Sequence, residues 1–133
     1  MKNSDCYCTS IRKASRRLTS LYDAALEPVG VNLAQFSLLR NIHRNGKVSL
    51  TELGKITELE RSTVGRNVRV LERMGFAKTI SGDDHREAVV IVDTDGLRVL
   101  DEGAPLWDAM QERLEAKLGG DTATRLLESL AEL

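Results

Sequence analysis

Arg61-Ser62-Thr63, Arg66-Asn67, Arg69 and Arg73 crowd one short segment in which Glu72 is the nearby acid. Those side chains suit recognition rather than bond cleavage. Arginine forks onto guanine and asparagine onto adenine, while hydroxyls and cations hold phosphates. Arg66 and Asn67 are therefore the candidates for base edges, and Ser62, Thr63, Thr51 and Lys55 those for phosphates. Arg61 and Arg69 add cationic surface beside them, although charged helix faces are commonly only solvated. A second basic point follows at Asp84-His85-Arg86. Arg86 suits a minor groove there, and His85 is either a further contact or an exposed loop residue. Arg73 has two roles open to it, DNA contact or an ion pair with an acid such as Asp84, which would support the loop.

Cys6 and Cys8 carry the other reactive chemistry. Two cysteines are too few for a disulfide scaffold, and these stand too close together for a four-ligand zinc site. A thiolate is the form that oxidants attack, and a helix N-terminus or Arg12 would favour it. Two other readings stay open: small inert residues in a frayed terminus, or soft-metal ligands completed by another subunit. A thiol enzyme would need a neighbouring base, a Gly-rich phosphate loop or a metal constellation, and the sequence offers no convincing one. No catalytic residue, cofactor or metal site is expected.

These groups need elements to position them. Ser49-Leu50-Thr51-Glu52 reads as a capping box, with the Glu side chain reaching back, and Leu50, Leu53 and Ile56 mark the buried face of a helix ending near Thr57. A second helix starts near Glu60 or Arg61, buries Val64, Val68 and Leu71, and stops at Gly75. Phe76–Ile80 and Ala88–Val92 read as two strands joined by a polar loop. Upstream, Ile11, Ala14, Leu18, Leu21, Tyr22 and Ala25 give a helix from about Thr9 to Leu26, ended by Pro28 and Gly30. Asn32-Leu33-Ala34-Gln35 opens another, running to about Arg44 over Phe36, Leu39 and Ile42. Downstream, Thr94 opens a long helix through Leu97, Leu100, Ala104, Trp107, Leu114 and Leu118, with Pro105 inside it. Asp121 caps a last helix carrying Leu126, Leu127, Leu130 and Leu133.

The formal net charge of −1 conceals a division. Residues 1–92 hold 15 Lys+Arg against 10 Asp+Glu, and residues 93–133 hold 4 against 10. Non-specific DNA affinity depends on local basic surface, so overall acidity does not oppose it. No secretory segment, long apolar run, repeat or low-complexity tract is visible, so the cytoplasm is the expected compartment and no membrane partner is expected.

Arg61-Ser62-Thr63-Val64-Gly65-Arg66, Leu71-Glu72-Arg73-Met74-Gly75-Phe76 and Asp84-x-Arg86 resemble the MarR family of bacterial winged-helix repressors, and a looser likeness extends over nearly the whole chain. The resemblance implies a mainly α fold with a small β-hairpin wing (α+β), a winged helix-turn-helix with flanking dimerisation helices. It implies one domain over 1–133, with the DNA-binding part at 32–93 and the dimerisation part at 5–27 and 94–133. It further implies a homodimer on a pseudo-palindromic operator in double-stranded DNA, acting as a repressor released by a small-molecule or oxidant effector. Gly65 departs from the family's usual threonine. Glycine costs about 1 kcal/mol against alanine inside a helix, leaving either closer approach to DNA or a weakly read base as its meaning. In the peroxide-sensing branch of the family, a reactive cysteine precedes a tyrosine by the interval between Cys8 and Tyr22. By that likeness Cys8 senses oxidants with Tyr22 as its hydrogen-bond partner, although Arg12 stands where the branch has a second tyrosine. The family's other sensing mode is a pocket between dimer helices and reader. Tyr22, Phe36 and Trp107 are candidates to line it, with Arg16 or His43 as polar partner, unless these aromatics are simply core. The alternatives are a winged-helix protein-interaction module without DNA binding, which predicts acidic or apolar recognition faces, and a small thiol-redox protein using Cys6 and Cys8.

Overall fold

The computed structural model describes residues 5–82 and 87–133. Its elements, in chain order, are α1 (Tyr7–Leu26), a 3-10 turn (Glu27–Val29), α2 (Leu33–Asn45), β1 (Val48–Ser49), α3 (Leu50–Thr57), α4 (Arg61–Arg73), β2 (Ala77–Ser81), β3 (Ala88–Val92), α5 (Thr94–Leu118) and α6 (Gly120–Ala131). The mainly α class with a small antiparallel sheet is as expected. The sheet has a third strand, in the order β1-β3-β2. β1 pairs Val48 with Val90 and Ser49 with Val89, and β2 runs in register from Ala77↔Val92 to Ser81↔Ala88. Two residues are too few to show a strand's alternation, so β1 is silent in the sequence.

Several boundaries move for local reasons. α1 begins at Tyr7 rather than Thr9, with Cys6 as N-cap. The box expected at Ser49 forms only in part: its hydroxyl accepts from Glu52 N–H at 3.1 Å. The reciprocal box forms instead at α2, between Asn32 and Gln35. α4 ends in a Schellman motif. Gly75, at φ +81°, donates its N–H to Glu72 O at 3.0 Å, and Phe76 donates to Leu71 O at 2.9 Å. Phe76 thus belongs to the cap and not to β2. Asp121 lies within the first turn of α6, where its charge suits the helix dipole, and Gly119 is the N-cap. Ile56, expected in the core, is 44% exposed. α3 is short, and Leu53 alone on it is fully buried.

One core gathers Leu26, Phe36, Leu39, Ile42, Val48, Leu53, Val64, Leu71 and Val90, with Val99 of α5 beside them. α5 closes onto this core through two glycines seven residues apart, on one face of the helix. A Cβ on Gly96 would lie 2.1 Å from the Phe76 carbonyl oxygen, and one on Gly103 2.6 Å from Phe36 Cε2. The helix axis therefore sits closer to Phe76 and Phe36 than any side chain at these positions would allow. By contrast, Ile11, Leu18 and Leu21 of α1 and Leu126, Leu127 and Leu130 of α6 are exposed within the chain. Among the described residues, no helix is long and apolar enough to cross a membrane.

Candidate nucleic-acid interface

α4 divides its circumference cleanly. Val64, Val68 and Leu71 are buried, and the opposite side carries Ser62, Arg66, Arg69 and Arg73, all exposed. Their spacing of four, three and four residues is one stripe of an α-helix. Arg66 Nη2 donates to Thr63 Oγ1 at 3.3 Å, which restrains the guanidinium at the stripe's edge. Asn67 is exposed but lies on a flank, lining a narrow cleft with Asn32 and Gln35 at the start of α2. The pair expected at base edges thus faces two directions, with Arg66 outward and Asn67 toward α2.

The other expected contacts gather at the turn between α3 and α4. Thr51 and Lys55 are one turn apart on α3, and with Arg61 and Thr63 they line an open depression that also includes Glu58 and Glu60. The turn is tight. Leu59 N–H donates to Gly54 O at 3.1 Å, and Glu58 adopts a left-handed conformation at φ 54°. A Cβ on Gly54 would stand 3.0 Å from the Leu59 carbonyl oxygen, so glycine here lets the two helices approach. Gly65 is buried at the edge of the packing with α3, where a Cβ would meet Leu50 Cδ1 and Arg69 Nη1, each at 3.8 Å. Its place in the packing between α3 and α4 removes it from the outward stripe.

The expected loop contacts Asp84, His85 and Arg86 lie outside the described residues. Arg73 is exposed on the stripe, and its pairing with Asp84 lies outside them too. Sequence reasoning missed a tie that is present: the Thr79 hydroxyl of β2 donates to Glu72 Oε1 on α4.

The residues expected around a pocket come together only in part. Phe36, His43 and Trp107 line a cleft of about 190 Å³ between α2 and α5. Arg40, which the sequence reading passed over, is one of its polar lining groups. The Arg40 guanidinium carbon sits 4.2 Å from the Trp107 ring centroid and 6.0 Å from that of Phe36. Burial first, then the neighbouring Arg44, lowers the pKa of Arg40, while Asp108 opposes the shift. The four-residue step from Phe36 to Arg40 was the available signal, since it places both on one helix face. Arg16 is exposed on α1 and does not line this cleft. Tyr22 stands behind it, with its ring centroid 6.4 Å from that of Trp107 and its hydroxyl donating to Gln111 Oε1 on α5. Burial, then Glu115, raises the Tyr22 pKa.

The thiols lie at the far end of α1. Fourteen residues of helix put Tyr22 about 21 Å along the axis from Cys8, so within one chain Tyr22 serves α5 and not the cysteine. Cys6 and Cys8 are free and exposed. Cys6 makes no capping bond as a thiol, but the Thr9 backbone, the Thr9 side chain and the Cys8 backbone lower its pKa. The helix start therefore favours the Cys6 thiolate, whereas the likeness to peroxide sensors had pointed to Cys8.

A family model described as the MarR family matches residues 29–87. The DNA complex of the transcriptional regulator MosR from M. tuberculosis is 31% identical, with a TM-score of 0.87, covering 96% of this chain and 92% of that one. An uncharacterised HTH-type transcriptional regulator of Bacillus subtilis (strain 168), YwoH, is 26% identical over 92 residues, 69% of this chain and 67% of that protein. A mutant of MarR from E. coli, complexed with operator DNA, shares the fold at a TM-score of 0.86 and 20% identity, covering 93% of this chain and 90% of that one.

Proposed function

From the premise that the chain belongs to the MarR family, we propose that it is a sequence-specific double-stranded-DNA-binding transcriptional regulator, a repressor and not an enzyme. The observation that carries this reading is the exposed stripe Ser62–Arg66–Arg69–Arg73 beside Thr51 and Lys55. An acidic or apolar face there would favour a protein-interaction module, and the face is cationic. α4 enters a major groove in this reading, with Arg66 on base edges and Lys55, Thr51, Ser62 and Thr63 on phosphates. His85 and Arg86 reach the neighbouring backbone or minor groove. Binding chromosomal DNA places it in the cytoplasm.

The functional unit in this reading is a two-fold homodimer. Residues 32–93 are the reader, and residues 5–27 with 94–133 form the scaffold that joins two copies. Tyr7, Ile11, Ala14, Leu18 and Leu21 recur at intervals of four, three, four and three, the seam of a helix packed against another helix. They are exposed within one chain, as are the leucines of α6. Two readers then meet grooves about one turn, ~34 Å, apart on a pseudo-palindromic site.

Release from DNA has two supports of its own. The Cys6 thiolate favoured at the start of α1 is placed where oxidation would disturb the scaffold, and the Arg40–Trp107 cleft joins scaffold to reader. An oxidant or a small molecule acting at these places would change the separation of the readers. In vitro selection of bound DNA under reducing conditions, repeated after peroxide, tests both parts. One enriched pseudo-palindrome, lost after oxidation, is the expected outcome. No enriched sequence would refute DNA reading, and retention after confirmed thiol oxidation would refute redox release.

A further inference from the structure

Glu72 stands against the electrostatic preference of its own helix end. It occupies the last turn of α4, where the helix dipole favours cations, and it is the one acid on a helix rich in arginine. Its position turns it away from the arginine stripe, onto the flank opposite Asn67. There it accepts a hydrogen bond from the Thr79 hydroxyl at the middle of β2. Among the described residues, Thr79 is the side-chain partner of Glu72.

The placement of Thr79 gives this contact leverage. β2 leaves α4 from a fixed base, because the Phe76 N–H closes the helix cap and the Phe76 carbonyl accepts from Asp93 N–H at 2.9 Å. Thr79 lies three residues farther out, opposite Val90 in the ladder, and Val90 is itself buried in the core. The base and the Glu72–Thr79 tie hold the strand at two separate points, and two points define an angle. We propose that Glu72 and Thr79 are positioning residues that set the angle between α4 and the β2–β3 hairpin, and so determine how the hairpin meets DNA flanking the major-groove contacts. The proposal rests on the DNA-binding reading above.

Paired substitutions isolate the tie from the charge. Glu72→Gln and Glu72→Ala remove the same charge, but only glutamine keeps an acceptor for the Thr79 hydroxyl. Thr79→Ser keeps the donor and Thr79→Val removes it. On the selected operator, Glu72→Ala should bind about fivefold more weakly than Glu72→Gln, and Thr79→Val about fivefold more weakly than Thr79→Ser. Adding Thr79→Val to Glu72→Ala should bring no further loss. The Ala and Val variants should also lose discrimination between A·T-flanked and G·C-flanked sites, which reduced folding stability alone would not change. Thermal midpoints of all four single variants and of the double variant establish that the comparison is made on folded protein. Equal binding within each pair, additive losses in the double variant or unchanged flank discrimination would overturn the proposal. If the natural protein enriches no DNA sequence, the DNA-binding reading itself fails, and the role of the pair fails with it.

Discussion

Gly65→Ala should stabilise the protein without altering DNA recognition. Glycine inside a helix costs about 1 kcal/mol relative to alanine, chiefly through backbone entropy in the unfolded chain. Whether that gain is realised depends on the space available for a methyl group. A Cβ at position 65 would meet Leu50 Cδ1 and Arg69 Nη1, each at 3.8 Å, which is ordinary van der Waals contact. Neither atom must move, so nearly the full ~1 kcal/mol should appear. For a domain of this size that corresponds to a rise of roughly 3–6 °C in Tm. Calorimetry at fixed protein concentration measures it, since association would otherwise shift the midpoint. Operator affinity should be unchanged because the position is buried and the methyl group would touch Arg69 only at ordinary van der Waals distance. A lower Tm would refute the packing argument. A higher Tm with lost operator binding would instead place position 65 against DNA.

Gly103→Ala should act in the opposite sense. Its Cβ would lie 2.6 Å from a ring carbon of the fully buried Phe36, and overpacking of this kind costs about 1–3 kcal/mol, seen as a reduced denaturation midpoint. Arg66→Ala should weaken operator binding by about 1–3 kcal/mol per half-site and relax one base position, whereas Lys55→Ala should weaken all sequences alike and flatten the salt slope by about one unit per subunit. Unchanged site preference in Arg66→Ala would remove it from the base edges. Cys6 should alkylate with a half-maximal rate at a pH below the ordinary thiol value of 9.0, because a lowered pKa leaves more thiolate as pH falls toward neutrality. Cys6→Ser should abolish that low-pH reactivity and Cys8→Ser should keep it, with the reverse pattern assigning it to Cys8. Light scattering at micromolar concentration should give twice the chain mass, and a monomeric mass would refute the proposed scaffold.

Local chemistry made the reader legible. The three-and-four spacing of Val64, Val68 and Leu71 fixed which side of α4 is buried, and that alone left Ser62, Arg66, Arg69 and Arg73 outward. Gly75 marked the helix end because its left-handed φ is inexpensive only without a Cβ. Side-chain periodicity determines facing within one element, and facing was therefore read correctly for most of α4 from residue types alone.

What required the folded chain was every relation between elements. β1 exists because Val48 meets Val90, and two residues carry no period of their own. The aromatic residues were visible, but the closeness of α5 to Phe36 through Gly103 was not, because a glycine in a sequence does not say what it faces. Arg40 had no role legible in the sequence, because only α5 brings Trp107 under it. Tyr22 matched a spacing to Cys8, yet within one chain helical rise separates them, and the hydroxyl donates to Gln111. Sequence periodicity sets which side chains share a face, whereas contacts between faces depend on how closely two backbones pack, and only the tertiary structure decides that distance.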